Sequence, residues 1–418
     1  MTRRPRIAVV GAGIGGLTLA RALAESGTPC EVFEQARAMT EIGAGVQLSP
    51  NTVRSLRSLG LEAALARHAV SVEAMRMYGW RGGPITATPF GAACETLYGA
   101  PYCAVHRADL QGALLTLVGP GPLRLGHRLR DLSPDGDEMV LTFDNGRTHR
   151  ADLVVGADGI HSVVRERLVR DAPVFSGLGV FRGLVPVDRL PTAARQPLIR
   201  MWLGPGRHFV CYPVSGGRLL SFAAISPLAT AGAESWSAEG DATALTEDFD
   251  GWSGLVPAVT RAVGTVRRWA LHDRPVLHTW ATDRLAVLGD AAHPMLPFMA
   301  QGANQAVEDA VELASLLAGA SADEIPERLR AYELVRAPRA AAVQQGSRGH
   351  SETMHLPDGP HQRERDQALR RTGGLTGLRE RAWLYGHEAG TRRTPPTAAN
   401  SAGTAKEEEE EEGRGPAS

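Results

Sequence analysis

Lysine is almost missing from this chain: the one lysine in 418 residues is Lys406. Any mechanism that needs a catalytic lysine before that position is excluded. Cysteine is scarce as well. Cys30, Cys94, Cys103 and Cys211 show no Cys-x-x-Cys spacing, so no metal site is expected and the thiols suit a reducing, cytoplasmic setting. No apolar run reaches the roughly 18 residues that span a bilayer. Nor is a secretory leader expected, because Arg3, Arg4 and Arg6 run straight into the first strand. A surplus of charge is lacking too. The formal net charge is −1, and its one concentration is the block Glu407–Glu412, so neither nucleic acid nor a membrane is an expected partner. Internal repeats are absent. What remains is a chain long enough for a large core in more than one domain.

Glycine, by contrast, is plentiful and clustered. Gly11-Ala12-Gly13-Ile14-Gly15-Gly16 follows directly on Arg6–Val10, an apolar run that reads as a buried strand. Leu17, Leu19, Ala20, Leu23 and Ala24 then form a helical stripe that stops at Ser26-Gly27. Pro29–Glu34 is the next strand, and it ends in an acid. Glycines allow the turn to be tight and let backbone amides approach a pyrophosphate at the helix N-terminus. Glu34 falls about 20 residues beyond the turn, where a carboxylate accepts hydrogen bonds from ribose hydroxyls. Strand, turn, helix, strand and acid together indicate a dinucleotide, where a bare glycine turn would not.

Two more strand–turn segments lie far downstream. Asp152–Gly156 leads into Ala157-Asp158-Gly159, with a helix expected over Ile160–Leu168. Arg284–Leu288 leads into Gly289-Asp290-Ala291-Ala292-His293-Pro294. In this order and spacing, across residues 5–345, the three segments resemble the single-component FAD-dependent aromatic monooxygenases, the p-hydroxybenzoate and salicylate hydroxylase family. Glu41–Asn51 and His106-Arg107-Ala108-Asp109-Leu110 are similar to further family segments. No second Gly-x-Gly-x-x-Gly occurs, which suits a family whose nicotinamide donor has no Rossmann domain of its own.

The resemblance implies one extended FAD. Gly11, Gly13, Ile14 and Gly16 are then at the pyrophosphate, Glu34 at the ribose, and Arg107 at the phosphates, where its charged fork gives bidentate bonds. Asp158 lies near the pyrophosphate and serves the nicotinamide donor too, while Asp290 bonds the ribityl chain. Gly45 and Val46 pass beside the flavin edges. Pro297–Asn304 follows the ring, with Gly302, Ala303 and Asn304 at a helix start whose dipole stabilises negative charge. Gln47, Pro297 and Phe298 are the expected substrate contacts.

The implied fold is α/β, a Rossmann-type FAD domain (1–70, 104–172 and 276–345) interleaved with a smaller antiparallel substrate sheet (71–103 and 173–275). A helical segment (346–390) and a disordered acidic tail (391–418) complete it. Strand alternation over Val72–Tyr78, Val180–Pro186, Leu198–Leu203, His208–Pro213 and Leu219–Ala224 suits a sheet with one covered face.

The implied reaction uses NADH or NADPH and O2, and transfers oxygen from a flavin C4a-hydroperoxide to an electron-rich ring of a small aromatic molecule. Deprotonating a phenol raises the ring's electron density, so a pocket His or Tyr is expected. His208 and Tyr212 are four apart on one strand and face the same way. Arg182 matches a position that points into the site in related branches, which completes the candidate catalytic set. The pyridine-hydroxylating branches carry histidine where this chain has Gln47 and Phe298, so hydroxynicotinate is not the expected substrate. The apolar Pro294–Gly302 loop suggests a larger phenolic or indolic compound. A flavin halogenase is excluded, since its lysine and Trp-x-Trp are both missing. An epoxidase or other oxidative tailoring enzyme, and a non-enzymatic flavin redox sensor, stay open.

Overall fold

Three motifs separated by more than a hundred residues meet because their strands lie side by side in one parallel sheet. Its order is Leu285–Val287, Leu153–Gly156, Ile7–Val10, Cys30–Glu34 and Leu123–Leu125. Val10 is level with Gly156 and with Phe33, and Gly156 is level with Val287. The glycine turn, Asp158, Asp290 and Glu34 therefore leave the sheet at one edge, the carboxyl ends where α/β sheets bind ligands. The computed structural model describes residues 3–39, 44–230 and 239–391. Glu41, Ile42 and Gly43 of the flavin-edge segment, and the tail beyond Thr391, lie outside those residues.

The first helix, Ile14–Glu25, buries the predicted stripe, with Leu17, Leu19 and Leu23 fully enclosed. Gly11 sits at φ +106°, and a side chain there would strike the Ala157 carbonyl. Gly16 has no room for a Cβ beside the Gly11 carbonyl oxygen. Only glycine permits this strand–helix contact.

The second sheet has eight strands, in the order Glu239–Gly240, Val266–Asp273, Val174–Pro186, Leu219–Pro227, Arg207–Val214, Leu198–Gly204, Ala74–Gly79 and Pro84–Pro89. Two expectations are corrected here. The sheet is not wholly antiparallel, because Ala74–Gly79 runs parallel to Leu198–Gly204; it enters from a distant stretch of chain, with no hairpin to reverse it. Nor is only one face covered. Phe181, Trp202, Phe209 and Phe222 pack under the helices Ala242–Asp248 and Val256–Ala262, while Val180, Met201, Val210 and Ile225 face the other way into a second core.

A third expectation fails at Ile160–Leu168, which forms turns and a single 3₁₀ turn, Arg165–Arg167, in place of a helix. Tertiary bonds outbid helical ones there. The Asp158 carboxylate accepts from the Ser162 hydroxyl and the Val163 amide (2.8 Å). Buried Arg165 reaches Asp171 and the carbonyls of Ala291 (3.0 Å) and Ala292 (2.7 Å).

Gly16→Ala should cost about 1–3 kcal/mol by overpacking against backbone, read as a lower melting temperature of the cofactor-stripped protein. Gly13→Ala should leave that temperature unchanged, because nothing lies within 4 Å of a Cβ at Gly13. Equal losses in both variants would refute this account of the turn.

Candidate active site

A cavity of about 1320 Å³ opens at the carboxyl edge of the parallel sheet and runs beneath the second sheet. Sites for single drug-sized ligands hold about 300–1,000 Å³, so this one has room for a dinucleotide and an aromatic molecule together. Its first half is lined by Gly11–Gly15, Glu34, Arg107, Asp158, Asp290, Gly302 and Ala303. Its second half is lined by Gln47, Arg182, His208, Tyr212, Pro297 and Phe298. Residues named in the two lists from sequence thus share one space.

The first half fits FAD. Gly13 presents open space where a pyrophosphate would lie. The Glu34 carboxylate takes the Ala12 amide on one oxygen and the Ala36 amide on the other, both at 2.8 Å. It thereby shapes the glycine turn, and each oxygen keeps a lone pair for a ribose hydroxyl. Arg107 opens the helix Arg107–Val118, its amide bonded to the Ala44 carbonyl at 3.0 Å. Burial lowers the pKa of its guanidinium, an effect that Asp290 and Glu34 oppose. Asp290 is open to the cavity yet deep in the molecule, and burial raises its carboxyl above the ordinary value against the pull of His293 and Arg107. The helix Gly302–Leu317 begins at the cavity wall, where Gly302 and Ala303 line the same space.

Two of the named residues act as braces. Asn304 accepts the Ser49 amide (3.0 Å) and donates to the carbonyls of Gln47 (2.9 Å) and Ala300 (2.7 Å). It ties the strand Gly45–Leu48 to the loop before the helix. Gly45 is pressed against Tyr212 and Ser221, where a Cβ would collide with both. Its amide donates to Ser221 Oγ and its carbonyl accepts from Tyr212 Oη, each at 2.8 Å.

Strand register explains the second half. Arg182 pairs with Ala223, Ala223 with Val210, His208 with Ile225 and Tyr212 with Ser221. Side chains alternate with period two, so Arg182, His208 and Tyr212 share the cavity face in adjacent rows. Arg182 stands 5.8 Å over the Trp269 ring, and its Nε is buried with no hydrogen-bond partner. Burial lowers its pKa, which Tyr212 counteracts. Burial raises that of Tyr212, which Arg182 counteracts. His208 Nδ1 lies 2.7 Å from His355 Nε2, and the Phe298 ring is edge-on to both imidazoles. Burial and then His355 hold His208 well below the ordinary histidine value, and burial brings His355 to about 4.

Sequence reasoning missed His355, Tyr102, Tyr385 and Arg381. Tyr102 donates to Gln47 Oε1 at 2.8 Å and stacks on Phe90 with ring centres 4.4 Å apart. It lies four residues before His106 of the His106–Leu110 motif, a signal that could have found it. His355, Arg381 and Tyr385 belong to a polar stretch that carries no local signal.

The description "FAD binding domain" matches residues 4–347. The 3-amino-4-hydroxybenzoate 2-monooxygenase of Streptomyces cremeus is 45% identical over 388 residues, 92% of this chain and 96% of that protein. The 6-hydroxynicotinate 3-monooxygenase of Bordetella bronchiseptica is 33% identical, covering 83% and 91%. Among solved structures, Klebsiella pneumoniae HpxO complexed with FAD and uric acid superposes with a TM-score of 0.80 at 28% identity, over 90% of this chain and 94% of that one. A salicylate hydroxylase substrate complex gives 0.75 at 27%, over 92% and 96%. FAD is the cofactor, with reduced nicotinamide and O2 as co-substrates and a small aromatic molecule as acceptor, so an enzyme stands here and not a passive redox sensor. No helix of the described residues is long and apolar enough to cross a membrane. The chain belongs to the FAD-binding-domain family, among its flavin-dependent aromatic-ring monooxygenases.

Proposed function

We propose that this enzyme hydroxylates a small phenolic acid of the 3-amino-4-hydroxybenzoate type, on a ring made electron-rich by its amino and hydroxyl groups. The observation that carries the proposal is the polar row Arg182–His208–Tyr212 on an otherwise apolar sheet face, backed by a second imidazole. The relatives at 43–45% identity, named for that substrate, support it. This reading favours a smaller and more polar ring than the apolar loop alone suggested.

Bound FAD supplies the oxygen-transfer chemistry; the side chains prepare the ring. Neutral His208, donating Nδ1–H to His355 Nε2, leaves its own Nε2 free to accept the phenolic proton. The Nδ1 proton then passes to His355, which is half-exposed. Arg182 favours negative charge beside Tyr212. Tyr212 Oη donates to the Gly45 carbonyl and also meets Gln47 and Ser221, which orients it beside the substrate hydroxyl. Phe298 and Pro297 exclude water from the ring. Gly11, Gly13, Ile14, Gly16, Glu34, Arg107 and Asp290 hold the cofactor, and Gly45, Val46, Gly302 and Ala303 bound its ring. Four buried free cysteines support a cytoplasmic location, and the near-balanced charge supports a life without nucleic-acid or membrane partners.

With 3-amino-4-hydroxybenzoate, the purified enzyme should consume NADH or NADPH faster and yield a product one oxygen heavier by mass spectrometry. His208→Gln should keep FAD and lose about a hundredfold or more of product formation, the usual worth of a general base, with NAD(P)H diverted to hydrogen peroxide. Wild-type coupling in that variant would sink the assignment.

The imidazole pair also sets a pH dependence. Both pKa values are depressed on folding, so between about 4 and 6.5 the unfolded chain binds more protons, and stability falls as pH drops through 6.5. Melting temperature should therefore decline from pH 7 to pH 5, and decline less in His355→Gln. Parallel declines in both proteins would show that the pair is not the source.

A further inference from the structure

The end of the cavity away from the parallel sheet is lined by Arg381, Trp383, Leu384 and Tyr385 of the helical stretch Gly374–Tyr385, which no motif claims. Its placement is fixed by many bonds. Arg54 donates to the carbonyls of Tyr385 (3.2 Å) and His387 (2.7 Å), Arg339 to those of Trp383 (2.7 Å) and Leu384 (3.0 Å), and Tyr98 to that of Leu378 (2.6 Å). A segment so pinned presents its side chains in a defined place. Arg381 is the one that matters here.

Arg381 lines the cavity, and its Nη1 is buried with no hydrogen-bond partner. No carboxylate among the described residues pairs with it. Its charge acts on Tyr98, Tyr102, Tyr385 and Cys94, each of which burial pushes upward and keeps neutral. Arg365, the other guanidinium at this end, is already engaged by Asp366 and by the carbonyls of Thr353 and Met354. An unpaired guanidinium facing a low-dielectric space is costly until an anion meets it. The aromatic wall beside it, Phe90 on Tyr102 and Tyr102 edge-on to Tyr385 at 5.9 Å, fits the flat face or edge of a ring.

Tyr102 links the two ends: its hydroxyl meets Gln47, two residues from the Gly45 carbonyl that Tyr212 holds, and its ring meets Tyr385, one turn from Arg381. The cavity thus has an acid–base end at His208 and Tyr212, a cationic end at Arg381, and aromatic side chains between. A hydroxybenzoate carries its two functional groups at opposite ends in the same way. We infer that Arg381 is the anchor for the carboxylate of the substrate, with the phenol directed to His208 and Tyr212. This rests on the reading that the ring belongs to a phenolic acid. Arg381 determines specificity; it takes no part in the proton transfer.

The test measures dissociation constants on oxidised holoenzyme by perturbation of flavin absorbance. The probes are 3-amino-4-hydroxybenzoate and 2-aminophenol, the same ring without its carboxylate. Wild type should prefer the acid. Arg381→Gln should weaken the acid ten- to hundredfold, the worth of a charge-assisted hydrogen bond, leave 2-aminophenol unchanged, and so abolish the preference. Arg381→Lys should restore part of it, and FAD content in both variants should match wild type. Arg182→Gln should keep the preference, because it acts at the phenol end. If wild type shows no preference, or if Arg381→Gln weakens both ligands alike, Arg381 is not the anchor. Absence of hydroxylated product, with the preference present and lost in Arg381→Gln, would overturn the proposed reaction but leave the anchor standing. Product formation with the preference intact in Arg381→Gln would do the reverse.

Discussion

One buried cation sets the position of the whole cofactor face. Arg336, on the long helix Ile325–Met354, is fully enclosed and bonds two neighbouring acids of the helix Gly302–Leu317. Its Nη1 meets Glu308 at 2.6 Å, and its Nε meets Asp309 at 2.8 Å. Asp309 in turn accepts the Gly289 amide (2.9 Å) and His293 Nε2 (2.6 Å). Glu308 takes the Asn51 amide group (2.5 Å) and Arg339. Burial pushes both acids upward, yet the pull of Arg336, with His293 on Asp309 and Arg339 on Glu308, keeps them below their ordinary values. They stay charged. The turn that carries Asp290 and the segment after Gln47 are thereby fixed to the same helix. Removing one partner from such a buried network costs about 3–5 kcal/mol, because the others are left as uncompensated charges. The network is weak evidence for stability as such; its consequence here is geometric.

The second constraint is register. A one-residue slip in a strand turns every side chain to the opposite face. In Arg207–Val214 such a slip would move His208, Val210 and Tyr212 into the aromatic core under the helices, and bring Phe209 and Cys211 to the cavity. The large apolar residues on both faces prevent it: Phe209 stacks on Phe222 at 5.4 Å on one side, while Val210 and Ile225 pack on the other. Packing that looks purely structural therefore decides which residues can face the cavity.

The cofactor half was legible in the sequence, because it is built from local strand–turn–helix units whose glycines and terminal acids are dictated by short-range sterics. Gly11, Gly16 and Glu34 are such cases. The sheet strands were legible for the same reason, through period-two alternation. What escaped depended on contacts between distant segments. Arg165 reaches across to the carbonyls of Ala291 and Ala292 while Asp158 binds Ser162 and Val163 of its own loop, so the expected helix at Ile160–Leu168 does not form. Asn304 matched a family position, but its role as a brace between Gln47 and Ala300 needs the fold to be seen. His355 and Arg381 sit in a stretch with no periodic apolar face strong enough to mark it. Nothing local distinguishes them from surface charge; Arg381 reaches the site because Arg54, Arg339 and Tyr98 hold Leu378–His387 against the body of the protein, and His355 because the Gly206 amide and His208 hold it.

The distribution of charge inside the cavity then takes on a meaning. At the cofactor half, Arg107 is answered by Asp290 and Glu34, so cation and acids share the space before any ligand enters. At the substrate half, Arg182 and Arg381 have buried nitrogens without partners, and no carboxylate of the described residues answers either. Water can screen both while the cavity is open. Once an aromatic ring displaces that water, the local dielectric falls and each uncompensated cation becomes expensive. A neutral ring would have to overcome that cost, whereas a ring with a carboxylate at one end and an ionisable hydroxyl at the other relieves both at once. On the proposed reading, selection among aromatic compounds thus works partly by exclusion. In the proposed reaction, the cation beside Tyr212 favours the ionised phenol, and it is that ionisation that makes the ring electron-rich.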